Sequence, residues 1–194
     1  ELKKIARLKP QTLDGVGFTP LANIELPEEV ETAFSFGAEG VGLFRSEFIY
    51  LRRPTLPSEE DHLAIYRQMA KKTYPRPVYI RTIDIGGEKS LPWLNIEKEP
   101  NLALGLRAIR FSLKNRQLFR TQIRAILRAS DRHNVRLMVP MITELEEVIE
   151  LKSVVEEVKD ELRQAGIPFD ESIPIGVMIE VPAAAVLIDS IIRE

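Results

Sequence analysis

The chain has 194 residues and no cysteine, is 44% hydrophobic and 29% charged, and carries a formal net charge of -2. That length holds one domain with a sizeable core, and the lack of cysteine rules out a disulfide scaffold and fits a reducing, cytoplasmic compartment. The near-neutral charge gives no reason to expect nucleic acid or an anionic membrane, no apolar run is long enough to insert in a membrane, and the opening ELKKIARLK has no signal-peptide pattern.

In chain order, residues 2–9 read as the end of a short helix or a linker closed by Pro10, and Thr12–Gly15 (TLDG) reads as a turn. Strands are expected at Val16–Ile24, Val41–Phe44, Val78–Ile83, Val135–Ile142 and Ile175–Val181. Helices are expected between them. Pro27 followed by Glu28 and Glu29 opens one, with proline in the first turn and acids at the positive end of the dipole. Ser58 with Asp61 caps a helix over Glu59–Lys72, and Leu104–Ser130 is a long, arginine-studded helix or helix pair. Thr143 with Glu146 predicts a capping box for a helix whose stripe is Val148, Leu151, Val155, Val158 and Leu162; Ala165-Gly166 ends it. The chain stops at Arg193-Glu194 inside an expected helix and starts at Glu1, so a fragment of a longer protein is expected.

Alternating strands and helices predict an α/β fold with a parallel sheet. A closed eight-stranded barrel takes about 250 residues. Five strand–helix units therefore fit either a partial (β/α)8 TIM barrel, strands 1 to 5, or a complete open sheet. No GxGxxG follows a strand and no Walker loop is present.

Chemistry in such folds collects at the carboxyl ends of the strands. The second strand ends LFRSEF, with Arg45 and Glu47. The third runs into IRTIDIGGEK, with Arg81, Asp84 and Lys89. The fifth ends MIEVPAAA, with Glu180 just ahead of a helix-starting proline, and Arg107 follows the third strand at a distance. Arginine forks match phosphate or carboxylate oxygens in pairs, so this set can hold a small phosphate ester. Glu180 supplies a hard oxygen for Mg²⁺, and Gly86-Gly87 allows a sharp bend or a close approach to a ligand. The structural alternatives are that Arg45–Glu47 and Arg81–Asp84 merely satisfy each other. The row Arg116, Arg120, Arg124, Arg128 and Arg132 reads as a solvated helix face. His62 and His133 lie in no nucleophile-like setting, and Trp93 reads as loop packing.

Five blocks, GAEGVGLFRSEFIY (37–50), PRPVYIRTIDIGGEKSLPWL (75–94), LGLRAIR (104–110), FRTQIRAILRAS (119–130) and IGVMIEVPAAA (175–185), stand in an order and spacing that resemble one family. They look like the C-terminal barrel of the enzyme I family of the bacterial phosphotransferase system, the phosphoenolpyruvate–protein phosphotransferases, within the wider group of phosphoenolpyruvate (PEP)-utilising enzymes. The resemblance implies the first part of a PEP-binding TIM barrel over residues 12–194. Residues 1–11 would be the connector from an N-terminal domain. It implies PEP and Mg²⁺ as ligands, with Arg45, Arg81 and Arg107 on the substrate, Glu180 on the metal, and Asp84 and Lys89 in support. It further implies transfer to a histidine and then to HPr or a similar carrier, in sugar or nitrogen uptake, by a cytoplasmic homodimer. NLALGLRAIR (101–110) departs from the family's NPFLGWRAIR. No phosphohistidine motif surrounds His62 or His133, so no catalytic residue is expected within the chain. PEP synthase, pyruvate phosphate dikinase and a non-catalytic dimerisation module remain as other readings.

Overall fold

The computed structural model describes residues 6, 8–51, 53–86 and 105–194. Strands β1 (Ala22–Ile24), β2 (Val41–Arg45), β3 (Val78–Arg81), β4 (Val135–Val139) and β5 (Ile175–Val177) form one sheet in the order 1-2-3-4-5. Every pairing is parallel. Helices fill the crossovers: α1 (Glu29–Ser35), then α2 (Glu47–Leu51) with α3 (Glu59–Thr73), then α4 (Ala108–Lys114) with α5 (Arg116–Arg128), then α6 (Leu145–Gln164). The short α7 (Pro182–Val186) and α8 (Ile188–Ile191) follow β5.

Strict sequential order carries its own topological information. Parallel crossovers are right-handed, so strands added always on the same side put all their helices on one face. A doubly wound sheet reverses its order at a switch point; this one does not. Helices α1 and α3, α3 and α5, and α5 and α6 pack in succession as one outer layer. Burial alternates accordingly. In β4, Val135, Leu137 and Val139 are buried beneath helices, whereas Arg136 and Met138 on the other face are half-buried. The fold is a partial (β/α)8 barrel of five units. Among the described residues, no helix is long and apolar enough to cross a membrane.

Several expected boundaries move. The first strand is confined to Ala22–Ile24 because Pro20 has no N–H to offer a ladder; Val16 and Phe18 ahead of it are exposed. The fifth ends at Val177, although the Met178 amide still donates to Val139 O at 2.8 Å. The long arginine-rich segment is a helix pair broken at Asn115. Ser58 and Asp61 form the expected capping box. The one ahead of α6 instead uses Glu144 and Glu147, one residue later than expected. Glu147 Oε2 accepts from the amides of Thr143 (2.6 Å) and Glu144 (3.2 Å), and a carboxylate there also suits the helix dipole.

The arginine row is not a solvated face. Helix α5 lies between α3 and α6, so one edge of it borders glutamates on both. Arg116 and Arg120 pair with Glu157, Arg120 and Arg124 with Glu161, and Arg124 and Arg128 with Glu59. Isolated exposed pairs contribute about 0–1 kcal/mol each, and a shared ladder fixes helix register better than any one of them. Arg132 lies beyond the ladder, 5.7 Å from the Tyr74 ring.

Neither histidine faces the strand ends. His133 Nδ1 sits 3.0 Å from Asp170 Oδ1. His62 is buried in α3, its ring 5.0 Å from that of Tyr50 and its Nδ1 3.1 Å from the Tyr66 hydroxyl. Burial pushes its pKa down to about 4. An unfolded histidine titrates near 6.5, so between these values the unfolded chain binds the extra proton. Stability contributed by neutral His62 is therefore complete above about pH 6.5 and is lost as pH falls towards 4. We expect the wild type to lose roughly 2–3 kcal/mol more than His62→Gln between pH 7.5 and 4.5 in urea unfolding. Parallel losses in the two proteins would show that His62 takes up its proton without opening the core.

Candidate phosphate-binding rim

Because all five strands run the same way, their carboxyl ends share one rim. Glu25 directly follows β1, Arg45 ends β2, Arg81 ends β3, and Glu180 lies three residues beyond β5. The register sets Arg45 beside Arg81 on neighbouring strands. The two arginines nevertheless differ. Arg45 reaches Glu25, with Nη1 3.0 Å from Oε1, and both side chains are more than one-third exposed. Arg81 is buried: Nη2 lies 2.5 Å from Glu47 Oε1 and Nη1 3.4 Å from Asp84 Oδ2.

Asp84 also receives the fork of Arg107, from Nε at 2.9 Å and Nη2 at 3.1 Å. Donating to Asp84, with the nearby Glu180 and Glu47 charges, raises the pKa of the Arg107 guanidinium. Arg107 is the N-cap of α4, and the next amide, Ala108, donates to Ile85 O at 3.1 Å, tying this helix start to the end of β3. Across the rim, Glu180 is exposed and its Oε1 accepts from the Met141 amide at 2.8 Å. Left-handed backbone gathers here: Ala108 (φ 49), Met141 (φ 62) and Gly86 (φ 129). At Ala108 and Met141, which carry a Cβ, such conformations cost of order 1–3 kcal/mol and persist where surrounding contacts over-determine them.

The arrangement brings Arg45, Arg81, Arg107, Asp84 and Glu180 to one rim. It does not make the sequence-local pair Arg45–Glu47; Glu47 turns into the core towards Arg81, and Arg45 finds Glu25. Lys89, Gly87 and Trp93 lie outside the described residues. Sequence reasoning missed Glu25, which lies one residue past the first expected strand in no motif of its own. It missed Met141 because a backbone donor leaves no side-chain signature. Gln122, whose side-chain oxygen accepts from the Ile83 amide at 3.0 Å, was also missed. Its signal was present: a lone amide between Phe119 and Ile126 on the buried stripe of α5.

Three arginines face four carboxylates (Glu25, Glu47, Asp84 and Glu180) on this described part of the rim. Over these described residues the balance is one negative charge, and one divalent cation reverses its sign. The donor set fits such an ion in part. Glu180 is an exposed carboxylate with one oxygen steadied by a backbone amide. Among the described residues no group of three or more His, Asp or Glu is placed to hold a metal. Glu180 can thus give one oxygen to Mg²⁺, an ion commonly bound through one or two carboxylates together with substrate phosphate.

Over residues 1–194 the chain matches the family described as PEP-utilising enzyme, PEP-binding domain. It is similar to the phosphoenolpyruvate-protein phosphotransferase of Geobacillus stearothermophilus, 42% identical over 194 residues, which is 100% of this chain and 34% of that protein. The same-named protein of Priestia megaterium gives 42% over 194 residues, again 100% and 34%. That of Haemophilus influenzae gives 45% over 186 residues, 96% of this chain and 32% of that protein. The chain therefore spans about a third of the length of the curated relatives it matches. With the family matched from the first residue to the last, and the arginine-lined rim of a partial barrel to go with it, the chain belongs to the PEP-utilising enzymes, as part of their PEP-binding domain.

Proposed function

We propose that this chain forms the PEP-binding portion of a phosphoenolpyruvate–protein phosphotransferase. In this reading the whole protein passes the phosphoryl group to a histidine on another domain, and from there to an HPr-like carrier serving sugar or nitrogen uptake in the cytoplasm. Residues 1–11 would lead in from that domain, and residues 12–194 would form the first part of the barrel. The barrel would also carry the contacts of a homodimer. The names of the relatives support the reaction. The observation that carries the reading is the pair of register-matched arginines on β2 and β3, with Arg107 held beside them by Asp84.

Phosphoryl transfer depends mainly on positioning and on stabilising charge over the phosphate oxygens. Arg81 and Arg107 are suited to positioning because Glu47 and Asp84 hold them before any ligand arrives. Arg45 is suited to capture: its tie to Glu25 is exposed, so the guanidinium can exchange that carboxylate for a phosphate oxygen at little cost. Bound at Glu180, Mg²⁺ would add positive charge to the described part of the rim. Lys89 is a further cation of the same segment in this reading.

Titrating PEP calorimetrically into the full-length protein, with and without Mg²⁺, tests this. We expect binding that requires the metal. Arg45→Ala should weaken it about 10- to 100-fold, the value of a charged hydrogen bond, while its melting midpoint without ligand barely moves. No PEP binding, or equal affinity in the variant, would overturn the assignment.

A further inference from the structure

We infer that Gln122 is a positioning residue for the rim: its buried side-chain amide joins the end of β2 to the end of β3 and so sets the two carboxylates that aim Arg81 and Arg107. This rests on the PEP reading only for its functional consequence; the geometry stands apart from it.

Both strands leave the ladder at this point. The last β3–β4 bond beyond Arg81 is the Thr82 amide to Met138 O at 2.9 Å. The next amide, Ile83, is buried and has left the strand, so it needs another acceptor. Gln122 Oε1 provides it at 3.0 Å. On the same amide, Nε2 donates to Ser46 Oγ and to Tyr66 Oη, both at 2.9 Å. Ser46, Tyr66, Ile83 and Gln122 are all fully buried.

The amide has one workable orientation. Rotated by half a turn, it would set its NH₂ against the Ile83 N–H, donor to donor. All three of its contacts are therefore fixed together. An amide on the apolar stripe of α5 costs about 1–3 kcal/mol if unpaired, and an apolar side chain in its place would leave the buried Ile83 N–H without this acceptor. What the amide adds is a link that a methyl group cannot make. Ser46 and Ile83 each stand one residue ahead of a carboxylate, Glu47 and Asp84 respectively. Those carboxylates grip Arg81 from two sides, and Asp84 also receives the Arg107 fork. A shift at Gln122 moves both grips. Tyr66 meets the link on its β2 side, at Gln122 and Ser46, and joins it to His62.

Gln122→Met and Tyr66→Phe separate positioning from core stability, since each removes buried hydrogen bonds in the same cluster. In the full-length protein, the nuclear magnetic resonance signal of the Arg107 Nε–H reports its bond to Asp84 without any ligand. We expect Gln122→Met to broaden or shift that signal and to weaken PEP binding about 10- to 100-fold, as loss of a supporting shell does around other sites. Tyr66→Phe keeps the Gln122–Ile83 bond and should leave the signal in place and binding within about threefold while still destabilising the fold. Equal effects of the two substitutions, or an unchanged Arg107 signal in Gln122→Met, would overturn the inference and leave Gln122 a satisfied core amide. A wild type that binds no PEP would instead remove the functional reading, and the Arg107 signal would still decide the positioning claim. If Gln122→Met does not fold, Ser46→Ala replaces it: it breaks the β2 side of the link alone, the side that sets Glu47, and an unmoved Arg81 Nε–H signal together with unchanged PEP affinity there would likewise overturn the inference.

Discussion

Replacing Arg81 by alanine is expected to destabilise the chain by about 3–5 kcal/mol, the usual result of breaking a buried ion pair by removing one partner. The Arg81 side chain is 8% exposed, and its partners are scarcely more accessible: Glu47 at 0% and Asp84 at 6%. Without the guanidinium, Glu47 keeps a carboxylate in the core and Asp84 loses one of the two arginines described beside it. Urea unfolding measures the loss directly. Arg81→Met combined with Glu47→Leu should cost less than Arg81→Ala alone, because the double change removes the charge that would be left behind. An Arg81→Ala protein within about 1 kcal/mol of wild type would show that water or a side-chain shift reaches Glu47. The same reasoning sets the choice of functional probe. Lost PEP binding in Arg81→Ala would mix damage to the fold with loss of a ligand contact, whereas the exposed pair at Arg45 separates them.

The second large effect falls on Gly86. Its φ is 129°, a region that side-chain-bearing residues rarely enter, and a Cβ there would stand 2.6 Å from Leu106 O and 2.8 Å from Arg107 Cα. Both obstacles are backbone, so no rotamer change relieves them. Gly86→Ala should therefore cost about 3 kcal/mol or more, combining conformational strain with overpacking. Gly166 serves as the control: it is also left-handed (φ 63°), but nothing lies within 4 Å of its added Cβ. Gly166→Ala should show the conformational part alone, about 1–2 kcal/mol. Equal losses in the two variants, by thermal or urea unfolding, would mean that the chain around Leu106 and Arg107 yields freely. Such yielding would argue against a rim that holds Arg107 in place, since Gly86 is the point where the end of β3 touches the start of α4.

These two sites differ from Arg45 in a way that bears on mechanism. Arg81, Glu47, Asp84, Arg107 and Gly86 form a braced framework, with the charges compensated before any substrate arrives. Arg45 and Glu180 are the exposed members, one cationic and one anionic, on opposite parts of the rim. A framework held by buried pairs avoids reorganisation when a phosphate binds, which is where preorganised charge is most effective. The exposed pair leaves room for the exchange of partners that binding requires.

Much of this was legible in the sequence by itself. The five strands, the Ser58–Asp61 cap and the stripe of α6 follow from local periodicity and capping chemistry, which act within a few residues; the sequence left one long helix or a pair open over Leu104–Ser130, and the break at Asn115 came from the structure. The appearance of Arg45, Arg81 and Glu180 on one rim followed from a single further rule, that parallel strands end together. Which charge meets which was decided only by tertiary structure. Arg45 pairs with a residue twenty positions earlier, Arg81 with one thirty-four earlier, and Gln122 reaches back to both strand ends. The row on α5 became an interhelical ladder for the same reason. Such partners are set by strand register and by which helices become neighbours. A local pattern records that a residue is charged or apolar, whereas the distance to a partner on another element exists only once the sheet has formed.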